Sequence, residues 1–155
     1  MKLFQLFIFL LLITFPTHAQ NGNFKTEPNT FSAHVNGFDT PIKKYIQNEI
    51  IFTAKLEKCN NPSIGMEKDY VLLTLDNNSS KEVEISLHQD LYFDGACKTC
   101  SSDEYSRKYI VPAKGQISGS CHSYSSEGLK LFYGSPWVSE VLTKFEFTNI
   151  KIRNE

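Results

Sequence analysis

Period-two alternation runs through most of this chain. Ile50, Phe52, Ala54 and Leu56 alternate with Ile51, Thr53, Lys55 and Glu57; Val71, Leu73 and Leu75 alternate with Leu72 and Thr74; Val83, Ile85 and Leu87 alternate with Glu82, Glu84 and Ser86. Successive side chains of a strand point to opposite faces, so this period means strands with one face buried. Tyr105–Val111, Gln116–Cys121, Leu129–Tyr133 and Leu142–Ile152 are further candidate strands. The last run slips phase between Phe147 and Ile150, which predicts a bulge. Breaks fall at 60–69, 76–81, 94–104, 112–115, 122–128 and 134–139. This spacing, with no long helical stretch, predicts an all-β fold: an antiparallel, immunoglobulin-like β-sandwich of about seven strands. A partly open barrel is the alternative. One short turn of helix is expected after Ser101, where Ser101-Ser102-Asp103-Glu104 resembles a capping box.

The N-terminus has a different texture. Lys2 precedes an apolar run from Leu3 to Phe15; Pro16 breaks it, and Thr17-His18-Ala19 follows. This is the pattern of a secretory signal peptide over residues 1–19. A membrane-spanning helix needs about 20 apolar residues, so an uncleaved anchor is the weaker alternative. Gln20, the residue after the expected cut, is not the Cys of a lipid-anchored protein. Residues 20–44, rich in Asn, Thr, Gly and Pro, are expected to form a flexible arm or linker, adding at most an edge strand near Ala33–Phe38. The sandwich domain is expected over 45–155. The chain carries 16 Lys+Arg against 17 Asp+Glu, and Lys2 leaves with the signal. That balance excludes a nucleic-acid binder or a polybasic membrane-surface protein. The expected location is secreted or periplasmic, with no transmembrane span after cleavage.

Export gives the four cysteines their meaning. If strand direction alternates at every break, Cys59, Cys97, Cys100 and Cys121 all gather at one pole of the domain. Secreted domains of this kind use disulfides. Three pairings exist, and Cys59–Cys121 with Cys97–Cys100 is preferred, joining one long closure to one small ring. The crossed pairings remain open. A zinc site of four thiolates is an alternative, although structural sites usually show two CxxC knuckles and this chain has one. A thiol–disulfide exchanger using Cys97-Lys98-Thr99-Cys100 is another; such motifs usually sit at a helix N-terminus, and this one sits in a strand connection.

Other chemistry is sparse. His34 lies in the arm, His88 on a polar strand face, and His122 beside Cys121. Ser118 and Ser120 do not form a nucleophile elbow. No catalytic constellation, metal site or cofactor motif is identified, so an enzyme is not expected. Asn77-Asn78-Ser79-Ser80 holds two glycosylation acceptor patterns. The breaks at the cysteine pole are longer than those at the other pole, and loops on a rigid scaffold commonly carry recognition. Ile64, Glu67, Ser102, Asp103, Glu104 and His122 are therefore candidate binding residues for a protein or glycan partner. Trp137, the only tryptophan, falls at the opposite pole and is expected to cap the core.

The stretches Cys59-Asn-Asn-Pro-Ser-Ile-Gly, Tyr70-Val-Leu-Leu-Thr-Leu-Asp-Asn, Phe93-Asp-Gly-Ala-Cys-Lys-Thr-Cys and Ile117-Ser-Gly-Ser-Cys resemble small secreted proteins of Bacteroidota. The resemblance covers roughly residues 46–152. It implies a periplasmic or secreted β-sandwich and supplies no catalytic residues. Three functional readings follow: a binding or accessory module, a thiol-redox or zinc protein using the CxxC, and an envelope protein of structural role. The first two differ in their sulfur chemistry. With two disulfides, reduction raises the intact mass by about four hydrogens, and mass spectrometry with and without reductant reads this directly.

Overall fold

A computed structural model describes residues 29–35, 43–61, 65–122 and 127–154. The expected signal peptide and the first part of the arm lie outside the described residues. Among those described, the strands are β1 (Phe31–His34), β2 (Lys43–Gln47), β3 (Ile50–Asn61), β4 (Met66–Asn77), β5 (Val83–Phe93), β6 (Ala96–Cys97), β7 (Ser106–Val111), β8 (Gln116–Ser118), β9 (Lys130–Gly134) and β10 (Leu142–Asn154). They form two sheets, all of whose ladders are antiparallel. One sheet runs β1-β10-β5, and the other side of β5 is shared by β6 and β7. The second runs β2-β3-β4, and the other side of β4 is shared by β8 and β9. The all-β sandwich expected from the alternation is present. A single 3-10 turn, Asp103–Tyr105, stands where the short helix was expected, without a side-chain cap bond from its N-cap Ser102. No helix among the described residues is long and apolar enough to cross a membrane.

Inward residues from both sheets meet in one core. Ile50, Phe52, Ala54 and Leu56 of β3 and Val71, Leu73 and Leu75 of β4 face Val83, Ile85 and Leu87 of β5 and Phe145, Phe147 and Ile150 of β10. The bulge appears where the phase slip predicted it, between Thr148 and Lys151, with Asn149 at φ 55°. It returns Ile150 to the core side after Phe147.

The domain begins earlier than the composition suggests. Phe31 is 1% exposed; its ring lies 6.2 Å from Phe52 across the core and 5.6 Å from both Phe145 and Phe147. Ala33 and Val35 are buried with it. Three inward apolar residues on a strand zipped to β10 are enough to order a segment that is otherwise polar. The expected boundary at residue 45 also falls inside β2, which pairs with β3 through a tight turn at Asn48-Glu49. Both turn residues have positive φ, as the type I′ hairpin geometry requires.

The two inner edges are built in an unusual way, because each is completed by a broken strand. On β4, Leu73 donates its N–H to Leu129 C=O and accepts from Gly119 N–H, so one residue is paired by two that stand on either side of a loop. A Cβ on Gly119 would sit 2.0 Å from the Leu129 oxygen, so only glycine allows this approach. On β5, the gap between β6 and β7 is filled by a side chain. The buried Thr99 hydroxyl accepts from Leu91 N–H at 2.8 Å and donates to Gln89 C=O at 2.7 Å, and Lys98 N–H donates to Leu91 C=O at 2.8 Å. Backbone groups that would otherwise be unpaired are thereby satisfied.

Asn77 closes the far end. Its buried amide nitrogen donates to the carbonyls of Lys81, Val111 and Pro112, and its oxygen accepts from the N–H and hydroxyl of Ser79. Of the two glycosylation patterns, only Asn78 is therefore presented to solvent. Asn77→Ala strands several buried carbonyls and is expected to lower unfolding free energy by about 3 kcal/mol, whereas Asn78→Ala stays within about 0.5 kcal/mol of the parent in urea titration.

Candidate functional site

The broken strands dictate where the cysteines lie. Cys59 ends the inward run of β3 one register out of phase, opposite Lys68, and so belongs to the outer face of its sheet. Cys121 lies on the segment that leaves the sheet after Gly119, and it pairs with Cys59 at a Cα separation of 5.2 Å. Cys97 and Cys100 pair at 5.9 Å across the ring that Thr99 anchors to β5. The preferred pairing of the sequence is the one present. The long closure spans 62 residues, worth about 4 kcal/mol in the chain-entropy account. The four sulfurs are divided two and two between opposite sheets, so a single four-thiolate cluster is not assembled.

Strict alternation of strand direction does not hold, and this moves Trp137. β8 and β9 are both antiparallel to β4, so they run parallel to each other as two halves of one edge strand. The connection between them is not a reversal. Every later connection changes ends, and the β9–β10 turn arrives at the end that carries Cys97 and Cys100. Lys98 Nζ lies 3.0 Å from Glu140 there, and Asp94 N–H donates to Val141 C=O. Trp137 does not cap the core: it is 82% exposed, on a turn closed by Val138 N–H to Ser135 C=O. Pro136 precedes it in the first corner position, where its fixed φ suits the turn.

Beside this turn a cavity of about 720 Å³ opens between the two sheets, within the range of small-ligand sites. Leu91, Phe93, Tyr105, Leu131 and Val138 supply apolar walls, and Phe132, whose ring packs on Tyr70, borders it. Lys98, paired with Glu140, also lines it, as do Arg107, Glu127 and Lys130. Gln89, 1% exposed, donates from Nε2 to Gly128 C=O at 2.6 Å. Arg107 lies over Tyr105 at 5.7 Å, and Lys130 over Tyr70 at 4.5 Å, which fixes two of the cations against rings.

A second cluster lies on the outer face of the other sheet. A carboxylate oxygen of Asp90 and the sulfurs of Cys97 and Cys100 all lie within 4.8 Å of one another. His88 Nδ1 is 2.9 Å from Asp90 Oδ1, and His88 Nε2 donates to Ser102 C=O at 3.0 Å. Cys100 N–H donates to Cys97 Sγ at 3.1 Å. Tyr92, 3.7 Å from Cys100 Sγ, donates to Glu146. Burial first, and then that hydrogen bond, push the Tyr92 phenol above its ordinary value.

The residues expected to bind do not converge. Ile64 lies outside the described residues. Glu67 is exposed on β4, opposite Asn60, and His122 is exposed beside Cys121 on the same sheet. Asp103 and Glu104 are exposed on the 3-10 turn of the other sheet. Ser102 alone joins a cluster, through its carbonyl to His88. Asp90, Leu91 and Phe93 lie within the strand that the break at 94–104 bounds, but none of them stands out as a site residue in the sequence. Gln89 breaks the apolar series there, yet the period-two phase continues through Leu91 and Phe93.

The placement of the single tryptophan has a direct optical consequence. Its emission should match that of free tryptophan in water, be fully quenched by iodide, and barely shift when urea unfolds the domain; a blue-shifted native spectrum would contradict its exposure. In comparisons with known proteins, no family model, no curated protein and no solved structure matches the chain.

Proposed function

We propose that the protein is a secreted or periplasmic binding module that captures an extended segment of a partner protein at the cavity between its sheets. The observation that carries this is the combination of an open, partly apolar cavity with Trp137 exposed on the turn whose Val138 lines it. Tryptophan on a rigid turn gives a large contact area at little entropic cost, and such residues dominate binding energy at interfaces.

The edge of β9 argues for an extended peptide over a sugar. Leu129 C=O faces β4, so the alternating Lys130 and Phe132 direct their backbone groups to the opposite edge. No strand pairs with that edge among the described residues. An added strand would find main-chain partners there while its apolar side chains enter the cavity. The disulfides support an oxidising compartment, and the N-terminal pattern supports export. The immunoglobulin-like likeness is one of size and two-layer construction; the side-by-side order β2-β3-β4 is this chain's own.

Selection of a displayed random-peptide library on the domain tests the reading. Apolar, extended peptides should be enriched. Trp137→Ala should weaken them at least about tenfold, and hydrogen exchange should slow at the amides of Lys130 and Phe132 on binding. Binding of glycans in place of peptides, or peptide binding indifferent to Trp137→Ala, would overturn it.

A further inference from the structure

We infer that Cys97–Cys100 is a thiol–disulfide exchange site in which Asp90, poised by His88, handles the proton. The site faces outward from the β5–β10 sheet and stands apart from the peptide reading of the cavity.

Three features separate this disulfide from the staple at Cys59. The first is access. Cys100 is exposed and Cys97 half-buried, whereas Cys59 is buried. The second is a preformed partner for a thiolate. Cys100 N–H already points at Cys97 Sγ, and a backbone donor to sulfur favours its charged form. The third is the carboxyl group of Asp90, 9% exposed and within 4.8 Å of both sulfurs.

The geometry sets His88 against Asp90. A carbonyl can only accept, so His88 carries its hydrogen on Nε2, where it meets Ser102 C=O. His88 Nδ1 then lies on the Asp90 side of the ring, 2.9 Å from Oδ1. Imidazole and carboxyl are groups that can each carry and release a proton, and here the two are in contact. Thr148 donates to the other carboxyl oxygen at 3.3 Å. A proton source is thus held against a disulfide on an otherwise aqueous face. The disulfide ring is anchored to the edge of β5 by Thr99, through bonds that do not involve either sulfur.

The co-reactant is a protein dithiol in the same compartment. Its first thiol loses a proton to water, and the thiolate attacks the exposed Cys100 Sγ. The Cys97–Cys100 bond breaks, and its electron pair goes to Cys97 Sγ, which takes the Asp90 proton. A mixed disulfide now joins Cys100 to the partner. Asp90 then accepts the proton of the partner's second thiol. That thiolate attacks its own neighbouring sulfur, and Cys100 leaves and is protonated by water. Two electrons and two protons pass from the partner, which ends as a disulfide, to Cys97 and Cys100. The reverse sequence reduces a partner disulfide.

The test uses the protein as exported, equilibrated in glutathione buffers of graded ratio, then alkylated and mapped by mass. Cys97–Cys100 should open at a ratio at least about tenfold more oxidising than the one that opens Cys59–Cys121. The protein should also accelerate oxidation of a fluorogenic dithiol peptide, and the Cys97→Ser/Cys100→Ser variant should not. Asp90→Asn should slow the reaction about tenfold or more and flatten its pH profile, with His88→Gln intermediate and circular dichroism unchanged in each. The other titratable groups facing the site are Tyr92 on β5 and Lys144 and Glu146 on β10, while Lys98 in the ring turns to Glu140; Lys144→Gln and Glu146→Gln should keep the shape of the profile. Simultaneous opening of the two disulfides, or absence of any rate acceleration, would overturn the site. An Asp90→Asn variant with the parent's rate and pH profile would overturn the role of Asp90.

Discussion

Everything distinctive in this molecule follows from how the outer edges of β4 and β5 find hydrogen-bond partners. A sandwich of this size needs each inner strand paired on both sides, because an unpaired buried amide or carbonyl costs about as much as several good contacts return. Neither strand has one continuous partner. β4 is completed by β8 and β9, meeting at Leu73; β5 is completed by β6, the Thr99 hydroxyl and β7. At each interruption the chain leaves the sheet, and at each interruption it carries cysteine. The disulfides therefore mark the two places where strand pairing is handed from one segment to another. Cys59–Cys121 ties an outgoing segment back over its own sheet, and Cys97–Cys100 tightens the ring whose threonine stands in for a strand.

The same construction sorts the surfaces. The gap beside β9 leaves the sandwich open on one side, between β9 and the upper part of β5, and the cavity forms there. The ring over β5 turns its sulfurs outward, towards Asp90 and His88, while Lys98 and Thr99 look into the cavity. One short segment thus contributes to both faces of its sheet. The ion pair between Lys98 and Glu140 joins it to the Trp137 turn, although two exposed side chains of this kind add little stability. What holds the turn in place is backbone bonding: Asp94 to Val141, and Val141 N–H to the Asp94 carboxylate at 3.2 Å.

The readable part of this fold was the part that alternates. β3, β4, β7 and β10 are legible because every second residue is apolar and the other face is wet. Even the β10 bulge shows as a phase slip. β1 is illegible for a physical reason. Phe31, Ala33 and Val35 are its whole apolar content, and their burial is decided by rings on β3 and β10 that are distant in sequence. The disulfide pairing could be preferred from topology, and the pairing found is the preferred one, although the direction rule behind it fails at β8–β9. That failure displaced Trp137 by a full length of the domain. Local pattern says that a segment is a strand but not whether two neighbouring strands are halves of one. Here the sign was Gly119, whose missing side chain admits the Leu129 oxygen, and glycine alone does not announce that. The Asp90 cluster was hidden because Asp90 meets the CxxC ring only through the pairing of β5 with β6, which no local pattern announces.

The meeting of Gly119 and Leu129 has a consequence for how such a chain can change over time. Because Leu73 bonds to both, the β4 ladder is continuous across that point. The segment is a side branch of the ladder and not a link in it. Residues can be gained or lost there without moving the register of β8 or β9, so long as Gly119, a cysteine within reach of Cys59, and Gly128 with its carbonyl on Gln89 remain. Such a position accepts new surface without asking the core to adjust, and variation in length among descendants of this fold should concentrate there.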